Sequence, residues 1–136
     1  MESLAKLKPA FRKTGTTTAG NSSQVTDGAA AVLLARRSFA EKNGMPILAR
    51  FTDYQVAGCP PEIMGIGPAI AIPQLLERSK LKVDDIDIYE INEAFASQAT
   101  YCVEKLKIPE KKLNPKGGAI ALGHPLGCTG KYVIIV

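Results

Sequence analysis

The segment from Asp84 to Lys107, "DDIDIYEINEAFASQATYCVEKLK", changes its periodicity halfway, and that change constrains the fold more than any other feature of the chain. Apolar residues alternate through "DDIDIYEIN", the two-residue repeat of a half-buried strand. Beyond Glu93 the repeat lengthens, and Phe95, Ala99, Cys102, Val103 and Leu106 fall on one helical stripe. The same exchange of periods recurs along the chain. "TDGAAAVLLARRSFAEKNG" reads as a helix with Thr26 or Asp27 as its cap, an apolar stripe through Ala31, Leu34, Ala35 and Phe39, and Gly44 as its stop. Strands are predicted near 16–20, over 46–58 and over Ala119–Leu122, and a helix from Pro68 to about Lys80. Strands and helices in alternation predict an α/β fold, with helices packed on a mostly parallel or mixed sheet.

The totals exclude several function classes. The 136 residues can bury a core, and 46% apolar with 22% charged residues is the balance of a globular chain. No apolar run approaches the roughly 20 residues of a membrane span, and no secretory pattern opens the chain. Cys59, Cys102 and Cys128 are odd in number and lack paired spacing, as expected of reduced thiols rather than a disulfide frame. With a single histidine and scattered cysteines, no zinc site is expected. The net charge of +4 comes partly from Lys6, Lys8, Arg12 and Lys13. Without an aromatic platform or reading motif, that cluster is read as a solvated face and no nucleic-acid partner is expected.

The residues with chemical potential gather in a few places. His124, the only histidine, follows a predicted strand and precedes Pro125, which holds its backbone extended. Gly123 and Gly127 leave the flanking backbone bare for close approach of a substrate or another chain. An imidazole there can take a proton from a thiol or hydroxyl, or donate to a developing oxyanion. Equally, its ring can simply bridge loop carbonyls. Asn92 ends a strand and starts a helix, which suits a capping amide as well as one that holds a water or a substrate oxygen. Glu93 suits the helix dipole. Ser23, in "GNSSQ", either caps or meets a ligand, and Met64 either lines a slot or fills core. Cys102, on the apolar face, reads as inert. "GHPLGCTGK" is not a phosphate loop, because Pro125 stands where its first glycine belongs and Tyr132 where Ser or Thr belongs. "MGIGPAI" lacks the third glycine of a dinucleotide fingerprint, and no G-x-S-x-G elbow occurs.

Taken together, "TAGNSSQVTDGAAAVLLA", "IMGIGPAIAIP", "INEAFASQA" and "NPKGGAIALGHPLGCTG" resemble the thiolase family, in wording most like its peroxisomal 3-ketoacyl-CoA branch. The similarity runs in order from Met1 to about Gly130. It implies a thiolase-like layered α/β fold, here incomplete. Residues 1–45 would be the end of the loop region and the last strand and helix of the N-terminal half. Residues 46–136 would be the C-terminal half, truncated before its end.

The resemblance also implies thiolytic cleavage of a 3-ketoacyl-CoA by CoA to acetyl-CoA and an acyl-CoA two carbons shorter, a step of fatty-acid β-oxidation. His124 matches the histidine that activates the acyl-accepting cysteine and helps form an oxyanion hole. Asn92 matches the asparagine that holds a water there. Ser23 matches a serine touching the pantetheine arm, Met64 and Phe95 match residues beside the acyl pocket, and Gly123 belongs to the same substrate-facing loop. Acyl-CoA and CoA are the implied ligands, with no cofactor and no metal, homodimers or homotetramers the implied assemblies, and the peroxisome the implied location, although no targeting signal lies in this chain. None of the three cysteines matches either catalytic thiol of the family. The chain by itself is therefore expected to be catalytically incomplete, the alternative being a non-catalytic form that binds CoA or associates with a subunit. Apolar surfaces and sheet edges without partners, together with the tail "YVIIV", predict association.

Overall fold

The architecture is that of a computed structural model, which describes residues 2–132. Of the tail "YVIIV", expected to be sticky, residues 133–136 lie outside the described residues. Helix α1 covers Glu2–Ala5 and α2 covers Arg37–Lys42. A 3-10 segment, Pro61–Ile66, leads into α3, Gly67–Ser79. Helix α4 covers Ala96–Leu106, α5 Ala119–Leu122 and α6 Leu126–Tyr132.

The packed centre lies where α3, α4 and the 3-10 segment before α3 meet one another. Tyr89, Ile91, Leu106 and Ile108 form the buried cluster, with Ile72, Val83, Ile86, Val103 and Leu113 packed around it. Burial of each Leu or Ile here is worth roughly 1.5–3 kcal/mol over its exposed state. Both long helices end the same way. Lys80 and Lys107 turn into the left-handed region at φ 57° and 56°, and the next amides, Leu81 N and Ile108 N, reach back to the Leu76 and Val103 carbonyls at 2.9 and 3.0 Å. The αL cap is thus supplied by lysines where glycine is usual. Gln98 fastens the start of α4: its Oε1 accepts from Phe95 N at 3.4 Å and its Nε2 donates to Gly65 O at 3.1 Å.

Pairing between extended segments is confined, among the described residues, to isolated bridges. Tyr89 pairs in parallel with Leu113, Val25 in parallel with His124, and Ser22 antiparallel with Phe95. The first of these carries the predicted strand "DDIDIYEIN". Tyr89 N donates to Lys112 O at 2.7 Å and Asn114 N to Tyr89 O at 2.8 Å. The ladder would continue one step further, but Asn114 stands at φ 41° and turns the backbone away. Its side chain takes over, accepting from Ile91 N at 2.7 Å and donating to Ile91 O at 2.9 Å.

Four predicted elements differ. Ala119–Leu122 is a helical turn rather than a strand. Alanine and leucine favour the helix, the Glu93 carboxylate accepts from Ile120 N at 3.3 Å in its first turn, and Gly123 at φ 106° stops it. The helix expected from Thr26 forms only as α2, since Leu33 and Leu34 stand exposed and amphipathic helices draw their stability from packing. Residues 46–58 form no ladder, with Leu48 and Val56 exposed and, among the described residues, no neighbouring strand to pair with. The strand expected near 16–20 is one bridge at Thr18 followed by a 3-10 turn, Ala19–Asn21.

Candidate active site

Three segments converge on His124. The stretch 22–26 runs between the chain entering α4 and the loop after α5. Ser23 N donates to Ala94 O at 3.0 Å on one side, and His124 N donates to Gln24 O at 3.2 Å on the other. Thr26 Oγ1 accepts a second contact from His124 N at 3.2 Å. A Cβ on Gly123 would meet that hydroxyl at 2.6 Å, and φ at Gly123 is 106° besides. Glycine is therefore required at 123 by both space and backbone. Thr26 serves the histidine loop, not a helix cap.

The imidazole bridges two side chains. His124 Nε2 lies 3.4 Å from Asn92 Nδ2, and Nδ1 lies 2.6 Å from Thr129 Oγ1. Thr129 Oγ1 also donates to Pro125 O at 3.1 Å. Asn92 does not cap α4: its amide faces the histidine across 32 residues of sequence, and Gln98 does the capping. Asn92 Oδ1 is buried and no protein group among the described residues donates to it.

A polar clamp holds the far side of this arrangement. Glu93 Oε1 accepts from Asn114 Nδ2 at 2.8 Å while Oε2 takes Ile120 N. The carboxyl lies directly over Gly118, where a Cβ would sit 2.0 Å from its carbon. Glu93 thus does more than suit a dipole. It ties the residue after Asn92 to the turn that launches the histidine loop. Next to the clamp lies a cleft of about 110 Å³ whose lining includes Asn92, Gly118, Leu122, Gly123 and Thr129. A larger hollow of about 360 Å³ lies between residues 26–30 and 125–128, and neither ring partner of His124 lines it. Both ring partners of His124, though not the ring itself, line the smaller cleft.

The other predicted site residues are spread around this centre. Ser23 Oγ donates to Ala94 O at 3.1 Å. Phe95 packs edge-on against Phe11, with centroids 5.8 Å apart at 84°. Met64 is 75% exposed. Cys102 is fully buried, burial pushes its thiol above the usual range, and its sulfur faces Gly65 O at 3.9 Å. Cys59 directs its sulfur to Met64 O at 3.7 Å. The ring hydrogen bonds of His124 go to Asn92 and Thr129, not to a sulfur. Among the described residues no cluster of three His, Cys, Asp or Glu side chains could hold a metal, and no helix is long and apolar enough to cross a membrane. Thr129, Thr26, Glu93 and Asn114 went unread as site residues in the sequence. The one available signal was Thr129, four residues after Pro125, where a helical threonine can reach back to that carbonyl.

A histidine, an asparagine amide and a bare glycine loop thus meet where three segments of the chain converge. Two family models match the chain: "Thiolase, C-terminal domain" over residues 45–136 and "Thiolase, N-terminal domain" over residues 1–38. The chain belongs to the thiolase family. The human peroxisomal 3-ketoacyl-CoA thiolase is 69% identical over 135 residues, which is 99% of this chain and 32% of that protein. The dimeric peroxisomal thiolase of Saccharomyces cerevisiae superposes with a TM-score of 0.92 at 65% identity, over 95% of this chain and 33% of its own. Human mitochondrial 3-ketoacyl-CoA thiolase in complex with CoA superposes at 0.93 with 48% identity, over 97% of this chain and 34% of its own. This chain therefore spans about a third of the length of the relatives it matches. Its fold is the layered α/β fold of those thiolases, with extended pairing reduced, among the described residues, to isolated bridges.

Proposed function

We propose that residues 1–136 contribute the histidine and asparagine of a thiolase acyl-transfer site, within an enzyme that cleaves 3-ketoacyl-CoA with CoA to acetyl-CoA and a shortened acyl-CoA. The observation that carries this reading is Asn92 Nδ2 facing His124 Nε2 at 3.4 Å beside the cleft. His124 takes the proton of the attacking thiol at Nε2. Once charged, Nε2–H turns donor toward the oxyanion that forms when the thiolate adds to the thioester carbonyl. Asn92 Oδ1, buried without a protein donor, holds a water as the second donor. Ser23, Met64, Phe95 and Gly123 lie on the CoA and acyl side. The reacting thiolate comes from a residue other than Cys59, Cys102 and Cys128.

Relatives named as peroxisomal support a peroxisomal setting, and the dimeric yeast structure supports a homodimer. We read residues 1–45 as the end of the N-terminal thiolase half and 46–136 as C-terminal half. A second reading, a non-catalytic form that binds CoA or associates with a thiolase subunit, is favoured by the exposed apolar surface of this chain.

Thiolysis of acetoacetyl-CoA and a longer 3-ketoacyl-CoA, with CoA calorimetry alongside, tests both. CoA is expected to bind the chain without turnover. Turnover that disappears in His124→Ala would show that a thiol within these residues reacts. No CoA binding at all would sink the assignment of the substrate side.

A further inference from the structure

We propose that Thr129 is a positioning residue that holds neutral His124 in its Nδ1–H tautomer, so that Nε2 is the bare, proton-accepting nitrogen. The inference rests on the reading of His124 as a base at Nε2. It follows from counting protons. The Thr129 hydroxyl has a single hydrogen, and Pro125 O, 3.1 Å away, can only accept, so we assign the hydrogen to that carbonyl. Toward His124 Nδ1, 2.6 Å away, the oxygen can then offer only a lone pair, so Nδ1 must carry the proton. The other side of the ring agrees independently. With Nδ2 of the Asn92 amide turned to the ring, Nε2 at 3.4 Å is the accepting nitrogen. The opposite tautomer would set an N–H against the Asn92 amide hydrogens and require the threonine to abandon Pro125 O.

The placement has a local cause. Pro125 fixes the residue after His124, and α6 begins at Leu126, which brings Thr129 one turn above the Pro125 carbonyl. Back-bonding to that carbonyl and contact with the ring come from one rotamer. Pro125 is buried and His124 and Thr129 are half-buried, so water competes weakly for these bonds.

His124 is the only histidine in the chain, so ¹⁵N-histidine labelling leaves its two ring nitrogens as the sole imidazole signals. Solid-state ¹⁵N spectra of the full chain, indifferent to particle size, are taken at mildly alkaline pH, where the spectrum itself shows the ring neutral. The expected spectrum has a protonated Nδ1 and an unprotonated Nε2, unchanged in Thr129→Ser. In Thr129→Val, which keeps the shape and loses the acceptor, the ratio of Nδ1–H to Nε2–H should fall on the order of fivefold to tenfold, the weight of one neutral hydrogen bond. An Nε2–H tautomer in the unmodified chain overturns the proposal, and so does an unchanged ratio in Thr129→Val. The unmodified chain and Thr129→Ser decide even where Thr129→Val fails to fold, since a spectrum altered by the serine also counts against it. If the Nδ1–H tautomer is found and CoA does not bind, the functional reading falls and the tautomer assignment stands.

Discussion

Asn114 does the work of a missing strand residue. Its backbone leaves the bridge with Tyr89 at φ 41°, and its amide then satisfies both backbone groups of Ile91 and one oxygen of Glu93. Alanine at this position would orphan the Ile91 N–H and C=O in a buried place and free the carboxylate that steadies α5. Each such orphan costs about 1–3 kcal/mol, so Asn114→Ala is expected to lose at least about 2 kcal/mol. Amide hydrogen exchange reads this directly: Ile91 N should exchange much faster, and exchange at the unmodified rate would refute the account. Gly118 is the companion position, because the Glu93 carboxyl occupies the space of its Cβ. At this scale the sequence named His124, Asn92 and Gly123 and missed Thr129, Thr26 and Asn114. Histidine and glycine are rare enough in such a setting to be noticed. A threonine or asparagine acts through a partner chosen only by folding.

Among the elements, the segment 83–91, which opens with a 3-10 turn over Val83–Asp85, and α4 carry most of the core, and both bury groups that ionise at high pH. Tyr89 donates its hydroxyl to Val83 O at 2.9 Å. Burial raises its phenol above the ordinary value, with Asp84 and Asp85 adding to the rise. Burial likewise raises the Cys102 thiol on α4. Both groups are held neutral in the fold, so their contribution is intact at low pH. It is lost as pH rises above the unfolded values of 9.0 for the thiol and 10.0 for the phenol. Tyr89→Phe removes a hydrogen bond worth about 1 kcal/mol near neutral pH, and it should flatten the loss of stability above pH 10. Thermal melts at pH 7 and above 10 check both parts; a slope as steep as that of the unmodified chain would contradict the second. The elements that matched expectation, α3 and α4, have an apolar stripe with a partner to meet it. The stripe through Leu34 and Phe39 has none, and only α2 survives there.

Across the whole molecule the apolar surface exceeds what the buried cluster can absorb. Val25 and Leu48 are each 91% exposed, and Leu33, Leu34, Phe51, Tyr54 and Val56 are also uncovered. Soluble monomers rarely leave such residues contiguous. The chain alone is therefore expected to self-associate, or to bind a thiolase-family subunit that covers this surface. Light scattering checks it: a monodisperse monomer with a single cooperative melt would contradict the expectation.

By itself the sequence determined the family, the α/β class and the two long helices, and it singled out His124 and Asn92. These rest on local periodicity and on residue types that few other settings tolerate. Only the tertiary structure decided that "AIAL" is a helical turn, that Asn92 faces the histidine instead of capping α4, and that a threonine five residues on points at the ring. Each of those outcomes turns on where a buried polar group finds its partner. That partner lies far along the chain or across a turn, and no spacing in the sequence announces it. The histidine was legible from the start; that its ring would meet a threonine hydroxyl on one side and an asparagine amide on the other was not.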